Sequence, residues 1–106
     1  MNLLGLGELM KKAQQMQAEM ERLLGERRVE GSAGGGMVTA AANGRGELIS
    51  VLIDPEAAGE DREMLQDLVV AAVNDALHKA RDLMAQEVAS LTGGLGLPPG
   101  LFSGGR

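Results

Sequence analysis

Cysteine is absent from the 106 residues, which leaves no disulfide and no thiolate to serve as a nucleophile or to ligate zinc or an iron–sulfur cluster. Tryptophan and tyrosine are absent too, and the one aromatic side chain is Phe102, close to the C-terminus. The core must therefore be aliphatic. The folded part also lacks the aromatic platforms on which the bases of a single nucleic-acid strand stack. No stretch reaches about 18 consecutive apolar residues, as a membrane-spanning helix would need. The first residues carry no basic charge before Glu8, which does not fit a signal peptide, so the expected compartment is the cytoplasm.

What is present is enough for one compact domain. Hydrophobic residues make up 44% of the chain and charged residues 24%, too apolar a balance for a disordered protein and too short a chain for a second domain. The seven methionines read as soft core filler. The net charge of −5 taken alone argues against a nucleic-acid partner. Its distribution argues otherwise, because residues 1–28 hold five bases (Lys11, Lys12, Arg22, Arg27, Arg28) against the four acids Glu8, Glu19, Glu21 and Glu26. An anionic partner should meet this segment.

Leu6, Leu9, Ala13, Met16, Met20 and Leu23 recur at alternating spacings of three and four, which predicts an amphipathic helix over 6–27. At about 1.5 Å per residue it is longer than a short sheet can cover, so part of its apolar stripe should overhang. Short strands are expected at 29–32, 37–42 and 47–53, with the glycines at 34–36 as one turn and Asn43-Gly44 as a tight hairpin. Ile49, Val51 and Ile53 should share the buried face, and Asp54-Pro55 should stop the last strand. Residues 56–60 read as a connection. Asp61 then caps a second long helix, which runs to about residue 91 and is ended by Gly93-Gly94. Its thinner second half is the natural partner for the first helix's overhang. The glycine- and proline-rich remainder, 93–106, reads as a mobile tail beyond a single domain at 1–92.

The order helix, three strands, helix predicts an α+β fold, with a three-stranded antiparallel sheet and two long helices. So small a core with two over-long apolar stripes would expose a large apolar patch, and two-fold self-association would cover it.

Catalytic chemistry is hard to find. Gly31-Ser32-Ala33-Gly34-Gly35-Gly36 lacks the Gly-Lys-Ser/Thr of a phosphate loop and does not open a helix. His78 has Asp75 nearby but no nucleophile and no second histidine. Glu56, Glu60, Asp61, Glu63 and Asp67 lack the alternation and central glycine of a calcium loop. No enzyme and no cofactor or metal is expected. Lys11, Gln15, Ala18 and Arg22 fall on one stripe of the first helix, beside Lys12 and with Arg27 and Arg28 just beyond, a line of charge that can track phosphates. The same residues form spacings typical of solvated helix surface, Glu8 to Lys12 and Glu19 to Arg22. Both readings fit the pattern.

Leu9-Met10-Lys11-Lys12-Ala13-Gln14-Gln15-Met16-Gln17, Asn43-Gly44, Ile53-Asp54-Pro55, Glu63-Met64-Leu65-Gln66-Asp67-Leu68-Val69, Ala71-Ala72-Val73-Asn74-Asp75-Ala76 and Gly96-Leu97-Pro98-Pro99-Gly100 follow one another in an order that resembles the YbaB/EbfC family of bacterial nucleoid-associated proteins over nearly the whole chain. The resemblance implies a tweezer-shaped homodimer of α-β-β-β-α protomers whose helical arms flank a DNA duplex in the nucleoid, without a cofactor. By the same resemblance the DNA contacts come from the first helix and the distal part of the last, where this chain offers Lys11, Lys12, Arg22, Arg27, Arg28, His78, Lys79 and Arg81. The strands depart from it, with Thr39, Ala41, Glu47 and Ser50 at positions where such proteins often carry bases, so that Arg45 alone is basic in that hairpin. An implied gene neighbourhood of recombinational repair and replication-clamp loading adds a second reading, a non-catalytic adaptor that docks recombination or replication proteins.

Overall fold

The computed structural model describes residues 3–59 and 61–94 in the order α1 (Leu3–Glu26), β1 (Arg28–Ala33), β2 (Val38–Asn43), β3 (Leu48–Ile53), α2 (Pro55–Ala58) and α3 (Arg62–Gly94). The strands form one antiparallel sheet in the order β1-β2-β3. The tail beyond residue 94 lies outside the described residues.

Alternation along β2 turns Val38, Ala40 and Ala42 toward α3, where they meet Ala72, Ala76 and Ala80. These alanines stand four apart, on one stripe of the helix, so α3 lies on the sheet through a ladder of methyl groups. Val29, Ala33, Val51, Leu65, Leu68, Val69, Val73 and Leu77 close around the ladder. The small side chains allow a very close approach: a Cβ added at Gly31 of β1 would fall 2.2 Å from the Ala76 backbone nitrogen and 2.6 Å from the Ala72 carbonyl oxygen. Side chains of α3 then satisfy the edge of β1. Ser32 N–H donates to Asp75 Oδ2 (3.1 Å), and Lys79 Nζ donates to the Glu30 carbonyl (2.9 Å).

The opposite edge of the sheet is different. Leu48, Ile49, Leu52 and Ile53 of β3 are all exposed, Leu52 by 65%. Ile49 and Ile53 were expected on the buried face, and only Val51 of that trio packs against the core. The register explains Ile49: it steps from Ala41–Ser50 to Ala42–Leu48, so Ile49 is the extra residue of a bulge and falls out of the alternation.

The β2–β3 turn also differs from the expected form. Among the described residues none other than glycine has a positive φ, and in this turn the positive angle belongs to Gly46 (83°) rather than to Asn43-Gly44. Gly46 N–H donates to the Asn43 carbonyl and Asn43 N–H to the Glu47 carbonyl, a longer hairpin with the left-handed residue at its end. Asn43 is buried and its Oδ1 accepts from the backbone amides of Arg45 and Glu47, which ties the loop to the strand end. Gly44 is needed for another reason. Its N–H donates to the Leu24 carbonyl (2.8 Å), and a side chain there would strike that same oxygen.

Through Gly44 and the buried Leu24, the C-terminal end of α1 is fastened to the sheet. Its remaining turns overhang, with Leu6, Leu9, Met10 and Met16 exposed. Beyond β3, Asp54 caps a single turn, α2, within what was read as a plain connection, and Asp61 caps α3 by accepting from Glu63 N–H. α3 continues through Gly93 and Gly94 rather than ending before them, so it measures about 50 Å against about 20 Å for a strand. The molecule is accordingly long, 67 × 27 × 19 Å, with a radius of gyration of 19.3 Å where a compact domain of this size has about 13 Å.

Candidate nucleic-acid interface

The nine basic side chains singled out by the sequence fall into three separate places. Lys11 and Lys12 sit exposed on the overhanging part of α1, and neither has a carboxylate within ion-pair distance among the described residues; the expected Glu8–Lys12 pair is not formed. Arg22 lies further along the same helix. Its guanidinium forks onto Glu19 (Nη2–Oε1 2.6 Å, Nε–Oε2 3.2 Å) and reaches Glu26 through Nη1 (2.9 Å). These contacts hold the Glu19 carboxyl below its ordinary pKa, chiefly through the Arg22 hydrogen bonds, and raise that of Arg22 still further above neutrality.

A second group gathers where α1 meets the strand ends. Arg28 opens β1 opposite Asn43 and is exposed. Arg45, at the hairpin, lies against the α1 backbone, since a Cβ at Gly25 would be 3.0 Å from its Cζ. It pairs with Glu47 (3.0 Å), whose pKa is lowered first by the Asn43 side-chain amide and then by Arg45. Arg27 reaches across to Glu87 of α3, joining residues 60 positions apart.

On α3, Lys79 is tied down between Asp75 (3.3 Å) and the Glu30 carbonyl, so it serves the β1 edge. Asp75 is kept below the usual carboxylate range, first by the Ser32 amide and then by Lys79. His78 and Arg81 are exposed on the helix, with His78 3.7 Å from Asp82. Sequence reasoning thus identified the cations and the Glu19–Arg22 pair, but not the other carboxylates that hold several of them. The spacings around Arg22 were visible in the sequence, whereas the contacts of Arg27 and Lys79 depend on the tertiary fold.

Between the arms lies an open groove of about 980 Å³. Met16, Met20 and Leu23 of α1 face Leu91 of α3 across it, with Lys12 and Glu87 among its polar lining. The two helices that were expected to be partners do face one another, though across this space. Among the described residues no helix is long and apolar enough to cross a membrane.

Residues 1–95 match the model of the YbaB/EbfC DNA-binding family. The chain is 54% identical over 101 residues to a nucleoid-associated protein of Pelotomaculum thermopropionicum, covering 92% of this chain and 95% of that one. It is 50% identical to a nucleoid-associated protein of Acetivibrio thermocellus, covering 92% and 89%. The fold also superimposes, with a TM-score of 0.75 and 26% identity, on the crystal structure of an uncharacterized protein from Helicobacter pylori, over 86% of this chain and 97% of the other.

Proposed function

The chain belongs to the YbaB/EbfC DNA-binding family, and from that premise we propose that it works as a two-fold dimer whose paired arms hold double-stranded DNA through its phosphates and so organise the chromosome in the nucleoid. The observation that carries this reading is the position of Lys11 and Lys12. They stand on a helix that overhangs the body, exposed and with no carboxylate partner among the described residues, and can donate to phosphate oxygens at no cost in contacts broken there. The names of the relatives place those proteins in the nucleoid, and α1 with the distal turns of α3 offers a long surface for such a role here.

Contacts to phosphate fix position and orientation but carry no sequence information. Reading bases in a major groove takes an array of Asn, Gln and Arg side chains at a helix surface. The exposed cations are spread over three places instead, so the binding is architectural, with Arg28 and Arg81 as further phosphate contacts. Dimerisation is supported by the contrast between the sheet edges. α3 covers β1, while β3 leaves Leu48, Ile49, Leu52 and Ile53 in solvent beside a core made largely of alanine.

The test is binding to a labelled random-sequence duplex, with the mass in solution taken in the same buffer. A species of twice 11.0 kDa that binds and loses affinity with added salt is the expected result. A protein that stays monomeric, or ignores duplex DNA even at low salt, sinks the reading and turns attention to recombination and replication proteins as partners.

A further inference from the structure

We propose that Glu19 and Glu26 set the DNA affinity of the arm by holding Arg22 away from phosphate, an inference that rests on the DNA-binding reading above. Three nitrogens of the Arg22 guanidinium are engaged at once, Nε and Nη2 by Glu19 and Nη1 by Glu26. Such a fork is the geometry a phosphate group would itself adopt with arginine. Three of its five N–H donors are thus engaged, and a phosphate can take the same Nε–Nη2 fork only by displacing Glu19.

Two of the other ion pairs among the described residues have visible structural work. Arg27 with Glu87 links the α1 end to α3, and Lys79 with Asp75 closes the β1 edge. The Arg22 pairs join nothing beyond one turn of a single helix. All three side chains are more than half exposed (54, 57 and 62%), so no buried charge is being neutralised and DNA has open access to the site. The Arg22 hydrogen bonds lower the pKa of Glu19, as expected of a carboxylate held in that fork.

The arrangement divides the arm by function. Lys11 and Lys12 are ready at first encounter, whereas Arg22 is released only to a phosphate already held nearby. Salt loosens the internal pairs as well as the external ones, so the arm should lose less affinity with salt than its count of cations suggests.

The test compares the full-length wild type with Glu19→Gln/Glu26→Gln in salt titrations on the same duplex, and repeats the comparison in an Arg22→Gln background. Glutamine keeps the size and much of the hydrogen bonding while removing the charge. Tighter binding by about 3- to 10-fold near 0.1 M salt, with a slope of log affinity on log salt steeper by about 1 to 2, is expected for a dimer. The gain should vanish when Arg22 is Gln. A gain of the same size without Arg22 would show a general effect of net charge and overturn the proposal, as would no gain at all. If neither wild type nor variant binds at the lowest salt, it is the DNA-binding reading itself that fails.

Discussion

A methyl group at Gly31 would lie 2.2 Å from the Ala76 backbone nitrogen, a separation that no side-chain rearrangement can relieve because both walls are main chain. Gly31→Ala must push α3 off β1 and disturb the Ser32–Asp75 and Lys79–Glu30 contacts beside it. The expected cost is about 3 kcal/mol, the upper range for overpacking a core. Thermal or urea unfolding measures it, and a variant as stable as the wild type would mean that the helix and the strand are not in contact there. Asp75 gives a pH-dependent counterpart. Its folded-state pKa is lowered by the Ser32 amide and by Lys79, so its stabilising contribution is present above the unfolded value near 4 and fades as the pH falls through the lowered folded value. Asp75→Ala should therefore unfold earlier in urea than the wild type at pH 7, and the gap should narrow as the pH is taken below about 4. A gap that is constant with pH would assign the effect to packing instead of charge.

At the scale of elements, the pieces set by neighbouring residues were legible from the chain, and the pieces set by distant ones were not. The two helices, the three strands, the strand stop at Asp54-Pro55 and the cap at Asp61 all follow from local pattern and local hydrogen bonds. The overhang followed from comparing helix and strand lengths. The bulge at Ile49 was hidden, because it exists only in the pairing of β3 with β2. Gly44 was misread for a similar reason: its lack of a side chain serves the Leu24 carbonyl of α1 rather than a left-handed turn. The candidate site shows the same division, with the cations countable from the sequence and the bridge from Arg27 to Glu87 invisible in it. That bridge ties the base of α1 to the distal part of α3 beside the groove, and Glu87→Gln should loosen the two arms. With no native cysteine to interfere, spin labels at Gln17→Cys and Ala89→Cys report the spacing, measured on labelled protein diluted with unlabelled. The distance distribution should broaden in the Glu87 variant. An unchanged width would show that the arms are held by something else.

At the scale of the whole molecule, an acidic protein of net charge −5 is proposed to bind a polyanion, and the resolution lies in where the charges sit. Acids outnumber bases overall, yet much of the positive charge is spent internally: on Glu19 and Glu26, on Glu87, on Glu47 and on Asp75. What remains at the arms is a small set of exposed cations led by Lys11 and Lys12. The proposed two-fold dimer would double that set and would cover the apolar edge of β3 that a single copy leaves in water. The most direct test is the salt dependence of duplex binding for the wild type and for Lys11→Gln/Lys12→Gln. Each phosphate contact contributes about 0.9 to the slope of log affinity on log salt, so the double variant of a dimer should bind more weakly and flatten the slope by roughly 2 to 4. A variant with the wild-type slope and affinity would place the DNA elsewhere on the molecule and contradict the account.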